Sequence, residues 1–323
     1  MKTATLYVLS FLGSLALVFV VMPKYISYLK KAGYNQEVSE YALKEYQEKA
    51  KTPIMGGLLF VVAPLLLLLV LRPAALLNPK ALFVILSYAS FCLIGFLDDF
   101  LILLRHNNEG LSPKKKLLAQ LVFAGVLYLL FHKYIGSSVY LPFLHTSIDL
   151  GILFAPFLIL VYAAEANAVN FTDGMDGLCA GVSFISLLPF VLFALKAGES
   201  DLVLLLFGIL GALLGYLYYN RFPAKIFMGD SGSLALGALF ASLGFILHKE
   251  VALFFAGFVF VWEMFCVSLQ LFCVIVFHRR IFSYTPIHYA FRLKGIPETR
   301  IVSSFYVLAL LSAAVGLLVG FFG

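Results

Sequence analysis

The chain has 323 residues, of which 62% are hydrophobic and only 12% charged. Soluble domains run nearer half apolar and a quarter charged, so this composition excludes an ordinary water-soluble domain and points to a polytopic membrane protein with lipid as its solvent. The net charge of +6 and pI of about 9.0 would suggest nucleic acid as a partner in a soluble chain, but in a membrane protein they reflect Lys and Arg held on one side, and no nucleic-acid partner is expected.

About ten apolar stretches come near the ~20 residues that cross a bilayer. They run over 5–23, 54–71, 82–100, 117–133, 150–167, 178–196, 202–219, 232–248, 251–277 and 302–322. The first resembles a secretory leader in length but lacks an A-x-A site and runs into Pro23 and Lys24, so it reads as a retained helix. The ninth is too long: at ~1.5 Å per residue it reaches ~40 Å against a ~30 Å hydrocarbon core. It is expected to bend or to protrude beyond Gln270, with Glu263 turned toward other helices. The linkers are short, so residues 1–323 form a single domain.

Alternate loops differ in charge. One set holds Lys24, Lys30, Lys31, Lys44, Lys49 and Lys51, then Arg105 and Lys114 to Lys116, then Arg221 and Lys225, then Arg279, Arg280, Arg292, Lys294 and Arg300. The opposite set holds only Lys2, Arg72, Lys80, Lys133, Lys196 and Lys249. The first set is therefore expected inside, with both termini outside. Cys92, Cys179, Cys266 and Cys273 lie in apolar stretches without zinc-ligand spacing and read as small packing residues.

Four polar constellations interrupt the apolar pattern. Asp98-Asp99 sits at the inner end of the third stretch, where two adjacent carboxylates need positive charge nearby; Lys114 to Lys116 follow in the next loop. A solvated acidic helix end is the bland alternative. Asn167 to Leu178 (NAVNFTDGMDGL) can bind a sugar, a base or a metal, or be an ordinary turn with Asx caps. Phe227 to Ser233 (FMGDSGS) opens the eighth stretch, where free N–H groups at a helix N-terminus suit phosphate and keep Asp230 ionised; Asp230 or Ser231 could equally be the N-cap. Pro286-Ile287-His288 lies in a basic loop where His288 with Arg279, Arg280 and Arg292 could hold a diphosphate; taken alone it reads better as a positive-inside loop with an incidental histidine.

Thr52-Pro53-Ile54-Met55-Gly56-Gly57, the Asp98-Asp99 pair, Asn167 to Leu178, Phe227 to Leu236 and Pro286-Ile287-His288 occur in that order over nearly the whole chain. Together they resemble the phospho-N-acetylmuramoyl-pentapeptide transferases, within the superfamily of polyprenyl-phosphate N-acetylhexosamine-1-phosphate transferases. The resemblance implies an all-α protein of about ten transmembrane helices in the bacterial inner membrane, with its active site on the cytoplasmic face. It implies transfer of phospho-N-acetylmuramoyl-pentapeptide from UDP-MurNAc-pentapeptide to undecaprenyl phosphate, with magnesium as cofactor. A homodimer stays open as an assembly.

By the same resemblance, Asp98, Asp99 and Asp230 are the catalytic acids, with Asp230 the magnesium ligand. Asn170, Asp173 and Asn220 line the site. Gly174, Met175, Asp176 and Phe227 form the uridine pocket, with Phe227 stacking on the base. Lys49 and Lys116 lie near the substrate phosphates, Gln270 matches a glutamine of the ninth helix, and His288 matches the first of three histidines. Tyr289 and Ala290 replace the other two histidines, and Ile102 stands where many members have lysine. Two alternatives are a transferase using UDP-N-acetylglucosamine and, more distantly, a secondary transporter. Transporters place such acids near the midplane on broken helices, whereas most here cluster at one surface.

Overall fold

The computed structural model describes residues 3–33, 52–105 and 110–322. The described chain is helical apart from one two-stranded ribbon. Helix α1 spans Thr3–Lys31, α2 Gly56–Leu71, α3 Pro79–Arg105, α4 Pro113–Ile135, α5 Phe154–Thr172, α6 Leu178–Lys196 and α7 Ser200–Asn220. Then follow α8 Asp230–Ile246, α9 Glu250–Ala256, α10 Phe258–Phe277, α11 Ile287–Leu293 and α12 Glu298–Phe322. Strands β1 (Ser138–Leu141) and β2 (Thr146–Asp149) pair antiparallel, Ser138 opposite Asp149.

Among the described residues, eight helices are long and apolar enough to cross a membrane, and α2 and α8 are shorter apolar helices of 16 and 17 residues. The chain is a multi-pass membrane protein. Burial separates the helices into an inner and an outer group. The most apolar stretch of α7 is 78% buried and that of α6 72%, against 22% for α1 and 28% for α4. The exposed faces of α1 and α4 carry Leu9, Val20, Leu118 and Leu129, which suits contact with lipid rather than water.

Helix α8 is the central pillar. Every residue from Ser231 to Ile246 is buried, and α8 packs chiefly against α3 and α5. Lipid tails are as apolar as Leu, so close packing rather than the hydrophobic effect holds such helices together, and small side chains let backbones approach. The sequence SGSLALGALFAS supplies them. A Cβ on Gly95 of α3 would lie 2.1 Å from the Asp230 carbonyl oxygen, and one on Gly57 of α2 would lie 2.3 Å from the Gly232 backbone.

Several expectations change in detail. Helix α1 continues through Pro23 to Lys31. Helix α3 continues to Arg105, so Asp98 and Asp99 lie about two turns inside the helix rather than at its C-terminus. The ninth stretch breaks at Gly257, near its start, and α10 then runs through Gln270 to Phe277 as one helix. Its excess length is thus taken up by the short α9. Glu263 is fully buried among protein, as its cost in lipid requires. The four cysteines are buried and free.

The α3–α8 contact makes a direct prediction. Gly95→Ala should lower the thermal unfolding midpoint, by the equivalent of about 1–3 kcal/mol for overpacking. Gly125→Ala on α4 is the control: its new Cβ would meet nothing nearer than 3.6 Å. Equal midpoints for the two variants would refute the close approach.

Candidate active site

The acids converge where α3 meets the N-terminus of α8. Ligand oxygens of Asp98, Asp99 and Asp230 all lie within 4.8 Å of one another. Three carboxylates that close repel unless each has its own compensation. Asp99 receives two backbone N–H donors, from Asp230 at 2.9 Å and Ser231 at 3.0 Å. Asp98 accepts the Leu111 N–H at 2.9 Å. Lys116, in the first turn of α4, places its ammonium 3.3 Å from Asp98 and in a hydrogen bond with Asp230. Asn170 of α5 donates to Asp230 at 2.7 Å and to Ser233 at 2.9 Å.

The free N–H groups expected at the start of α8 are therefore taken. Gly229 occupies the N-cap position at φ 74 without a side-chain cap, and Asp99 supplies the cap from another helix. A side chain at 229 would be strained by that φ and would meet Asp99 at 2.6 Å. Neither Asp230 nor Ser231 is the N-cap. Asp99, buried at 3% exposure, is thus committed to the backbone on both oxygens, while Asp98 and Asp230 share Lys116.

Beside Asp98 opens a cleft of about 530 Å³, lined also by Ile102, Arg105, Lys115 and Lys116. Its cations suit phosphate groups. Ile102 lines it where a lysine was the family expectation, so Arg105 and Lys115 provide positive charge instead. Arg105 escaped the residue-level reading of the sequence, although its place in the lysine-rich set was the available signal.

The polar segment 173–177 is a turn, not a helix, so Asp173 and Asp176 do not share a helical face. Burial pushes the Asp173 carboxyl up to about 7, with the charges of Asp230 and Asp176 adding and a hydrogen bond from the Gly229 backbone opposing. Asp176 accepts the Ala224 N–H at 2.9 Å, and its own N–H donates to Glu298 at 2.8 Å. Asn220 accepts the Gly177 N–H at 3.0 Å and donates to the Ile226 carbonyl at 2.9 Å. Asp176 and Asn220, expected to line a substrate site, are buried and tie the two site loops together. Glu298, at the start of α12, is a tie the sequence reading missed.

The residues of the expected uridine pocket fall into different packing environments. Phe227 packs with Ile54, Met55 and Leu103, and its backbone pairs with Pro53 and Gly56 at 2.8 Å each. Met175 is buried in the main core. Gly174 lies instead against α11: a Cβ there would meet His288 Nε2 at 2.2 Å. Tyr289 donates its hydroxyl to the Gly174 carbonyl at 2.9 Å.

His288 is fully buried rather than displayed in a basic loop. Its Nδ1 lies 3.0 Å from Glu263, whose carboxylate also takes the Ile287 N–H at 2.7 Å. Its Nε2 has no hydrogen-bond partner among the described residues. Gln270 accepts the N–H groups of Ile281 and Phe282 at 3.1 and 3.0 Å and so pins the preceding loop. Lys49 lies outside the described residues.

Residues 81–248 match the glycosyl transferase family 4 model. The phospho-N-acetylmuramoyl-pentapeptide-transferase of Staphylococcus aureus strain bovine RF122 / ET3-1 is 37% identical over 315 residues, 95% of this chain and 97% of that protein. The protein of the same name from Staphylococcus saprophyticus subsp. saprophyticus is 35% identical over 312 residues, with the same coverage of both chains. The ordered motifs, the convergence of their acids and this end-to-end similarity show that the chain belongs to the phospho-N-acetylmuramoyl-pentapeptide-transferase family.

Proposed function

We propose that this protein transfers phospho-N-acetylmuramoyl-pentapeptide from its UDP-linked donor to undecaprenyl phosphate, giving lipid I and UMP in peptidoglycan synthesis. The observation that carries the reading is the convergence of Asp98, Asp230, Lys116 and Asn170 beside a cationic cleft, in a chain 37% identical to a transferase of that name. The protein sits in the bacterial inner membrane and crosses it ten times, by α1 to α8, α10 and α12. The lysine-rich loops and the acid cluster face the cytoplasm and both termini lie outside. A site at the mouth of the bundle serves a soluble nucleotide donor and a lipid whose tail stays in the bilayer.

The chemistry is direct displacement. An oxygen of the lipid phosphate attacks the sugar-bearing phosphorus of the donor. The bond from that phosphorus to the bridging oxygen breaks, and UMP leaves with the electron pair. A phosphate monoester has its second pKa near ~6 and is largely dianionic at neutral pH. Asp98 takes the remaining proton from the monoanionic fraction and holds Lys116 toward the phosphates. Lys116, with Arg105 and Lys115, offsets their charge. Asn170 fixes Asp230, and Asp99 fixes the start of α8.

The residues present fit a hard divalent cation. The donors are all carboxylate oxygens within 4.8 Å of one another. The Lys116 ammonium between Asp98 and Asp230 marks a place where positive charge is favoured. Asp230 and Asp98 would hold magnesium, which when bound polarises phosphoryl oxygens and neutralises developing charge. The deciding assay gives purified protein undecaprenyl phosphate with UDP-MurNAc-pentapeptide or UDP-N-acetylglucosamine, with and without magnesium. UMP release is expected from the muramoyl donor with magnesium; release from UDP-N-acetylglucosamine alone would sink the reading.

The three acids should separate by variant. Asp98→Asn and Asp230→Asn should lose about 10²-fold or more in UMP release at an unchanged unfolding midpoint. Asp99→Asn should lose activity and also lower the midpoint, by the equivalent of about 1 kcal/mol for a lost cap. A midpoint unmoved by Asp99→Asn would show that the cap is not what Asp99 supplies.

On the α11 side, His288 packs against the 173–177 turn at Gly174 and presents there an Nε2 without a hydrogen-bond partner among the described residues. His288→Ala should therefore lose far more activity than Tyr289→Phe, which removes only the hydroxyl bond to Gly174. Comparable losses at equal folded yield would argue that the turn, and not the imidazole, is what matters.

A further inference from the structure

A groove of about 320 Å³ lies between α1 and α7 and shares no lining residue with the cleft beside Asp98. Leu15 and Phe19 of α1 and Leu214 and Tyr218 of α7 line it, and Arg221 stands at one end, just past the last turn of α7. The two helices meet at Gly215, where an added Cβ would lie 3.0 Å from the Leu15 carbonyl oxygen, and the groove opens beside that contact. Its rim is on the outside of the bundle: Phe19, Leu214 and Tyr218 are each at least 40% exposed. Both helices are long and apolar enough to cross a membrane, so the groove faces bilayer chains rather than water.

Two cations gather around one of the lining residues. The Arg221 guanidinium lies 5.0 Å from the centre of the Tyr218 ring, and the Lys225 ammonium lies 6.0 Å from that ring and from the ring of Tyr219. A ring face attracts a cation but carries no net charge to cancel it. Arg221 and Lys225 are both exposed, and neither meets a carboxylate within ion-pair distance among the described residues. Asp176, which does reach this loop, is buried and takes the Ala224 N–H. The transfer chemistry uses neither cation.

An apolar groove in the bilayer with uncompensated cations at one end selects its ligand by charge. A hydrocarbon alone would leave the cations unanswered, and a zwitterionic lipid brings a cation of its own to them. A lipid of net negative charge meets both demands, with a phosphate for the planar fork of Arg221 and the ammonium of Lys225 and an acyl chain for the walls. Basic side chains beside tyrosines at the end of a membrane helix are the usual seat of anionic headgroups. The polyprenyl phosphate acceptor has to bring its phosphate to the acid cluster, which lies at another place in the bundle. We propose that this groove binds an anionic glycerophospholipid of the surrounding bilayer, its phosphate held by Arg221 and Lys225 and one chain packed against Leu15, Phe19 and Leu214.

The test titrates the full chain in a neutral detergent with dioctanoyl phosphatidylglycerol, and with dioctanoyl phosphatidylcholine as the zwitterionic match. Phosphatidylglycerol should raise the thermal midpoint saturably, by about 2 °C or more near saturation, and at lower concentration than phosphatidylcholine. Replacing both cations, Arg221→Gln with Lys225→Gln, should raise the half-saturating concentration about tenfold or more. Leu214→Trp, which fills the groove and leaves the cations in place, should raise it too; should the double variant fail to fold, the single cation variants decide. Equal curves for the two lipids, or an unchanged half-saturation in a folded variant, would overturn the proposal. So would tighter binding of undecaprenyl phosphate that the same variants abolish, or a dimer that Leu214→Trp dissociates, since the groove would then belong to the acceptor or to a second copy of the chain. Because the readout is ligand-induced stability, the outcome is independent of UMP release.

Discussion

The carboxylate of Asp99 sits on the first two N–H groups of α8, and the rest of the site depends on that contact. A helix N-terminus leaves its first N–H groups without intrahelical partners and carries partial positive charge. In most helices a residue at the N-cap satisfies them. Here the N-cap is Gly229, and the cap comes from Asp99 of α3, 131 positions before Asp230. One charge-assisted pair of bonds thus locks two inner helices in register. It also sets Asp230 beside Asp98, which alone would be a repulsive arrangement.

The remaining charges are balanced by position rather than by number. Asp98 and Asp230 share the Lys116 ammonium, and Asp230 gains the Asn170 amide. Buried like charges persist only where each has such a partner, because the low dielectric that strengthens each attraction also magnifies each repulsion. The compensation is good enough to hold the acids together but leaves its counter-charge, the Lys116 side chain, on the open side facing the cleft. That asymmetry separates a site that can receive phosphates from a sealed structural ion-pair network.

The glycines of the inner helices serve the same end. Close approach at Gly95 and Gly57 brings three backbones within reach of one another around the start of α8. With lipid outside, no hydrophobic gain rewards a looser bundle, so contact at the backbone carries the packing. On the far side of the site, Asp176, Asn220 and Glu298 bind loop backbones to one another, and Glu263 and Gln270 do so around α11. Polar side chains that look like ligand contacts in a sequence can be wholly consumed in this way, because buried irregular backbone must find its hydrogen-bond partners within the protein.

Much was legible in the sequence alone. The apolar stretches required a multi-pass helical protein because lipid admits few other backbones, and the resemblance of the polar motifs to one family singled out Asp98, Asp99, Asp230 and Asn170, which the fold gathers. Composition and period are local properties, and they carried as far as local properties can. Which acid caps a helix and which stays open to Lys116 was decided by the approach of α3 to α8. The burial of His288 against Glu263 and the break at Gly257 were decided the same way. Each depends on side chains brought together by packing between separate segments, and no pattern within one segment records its distance to another.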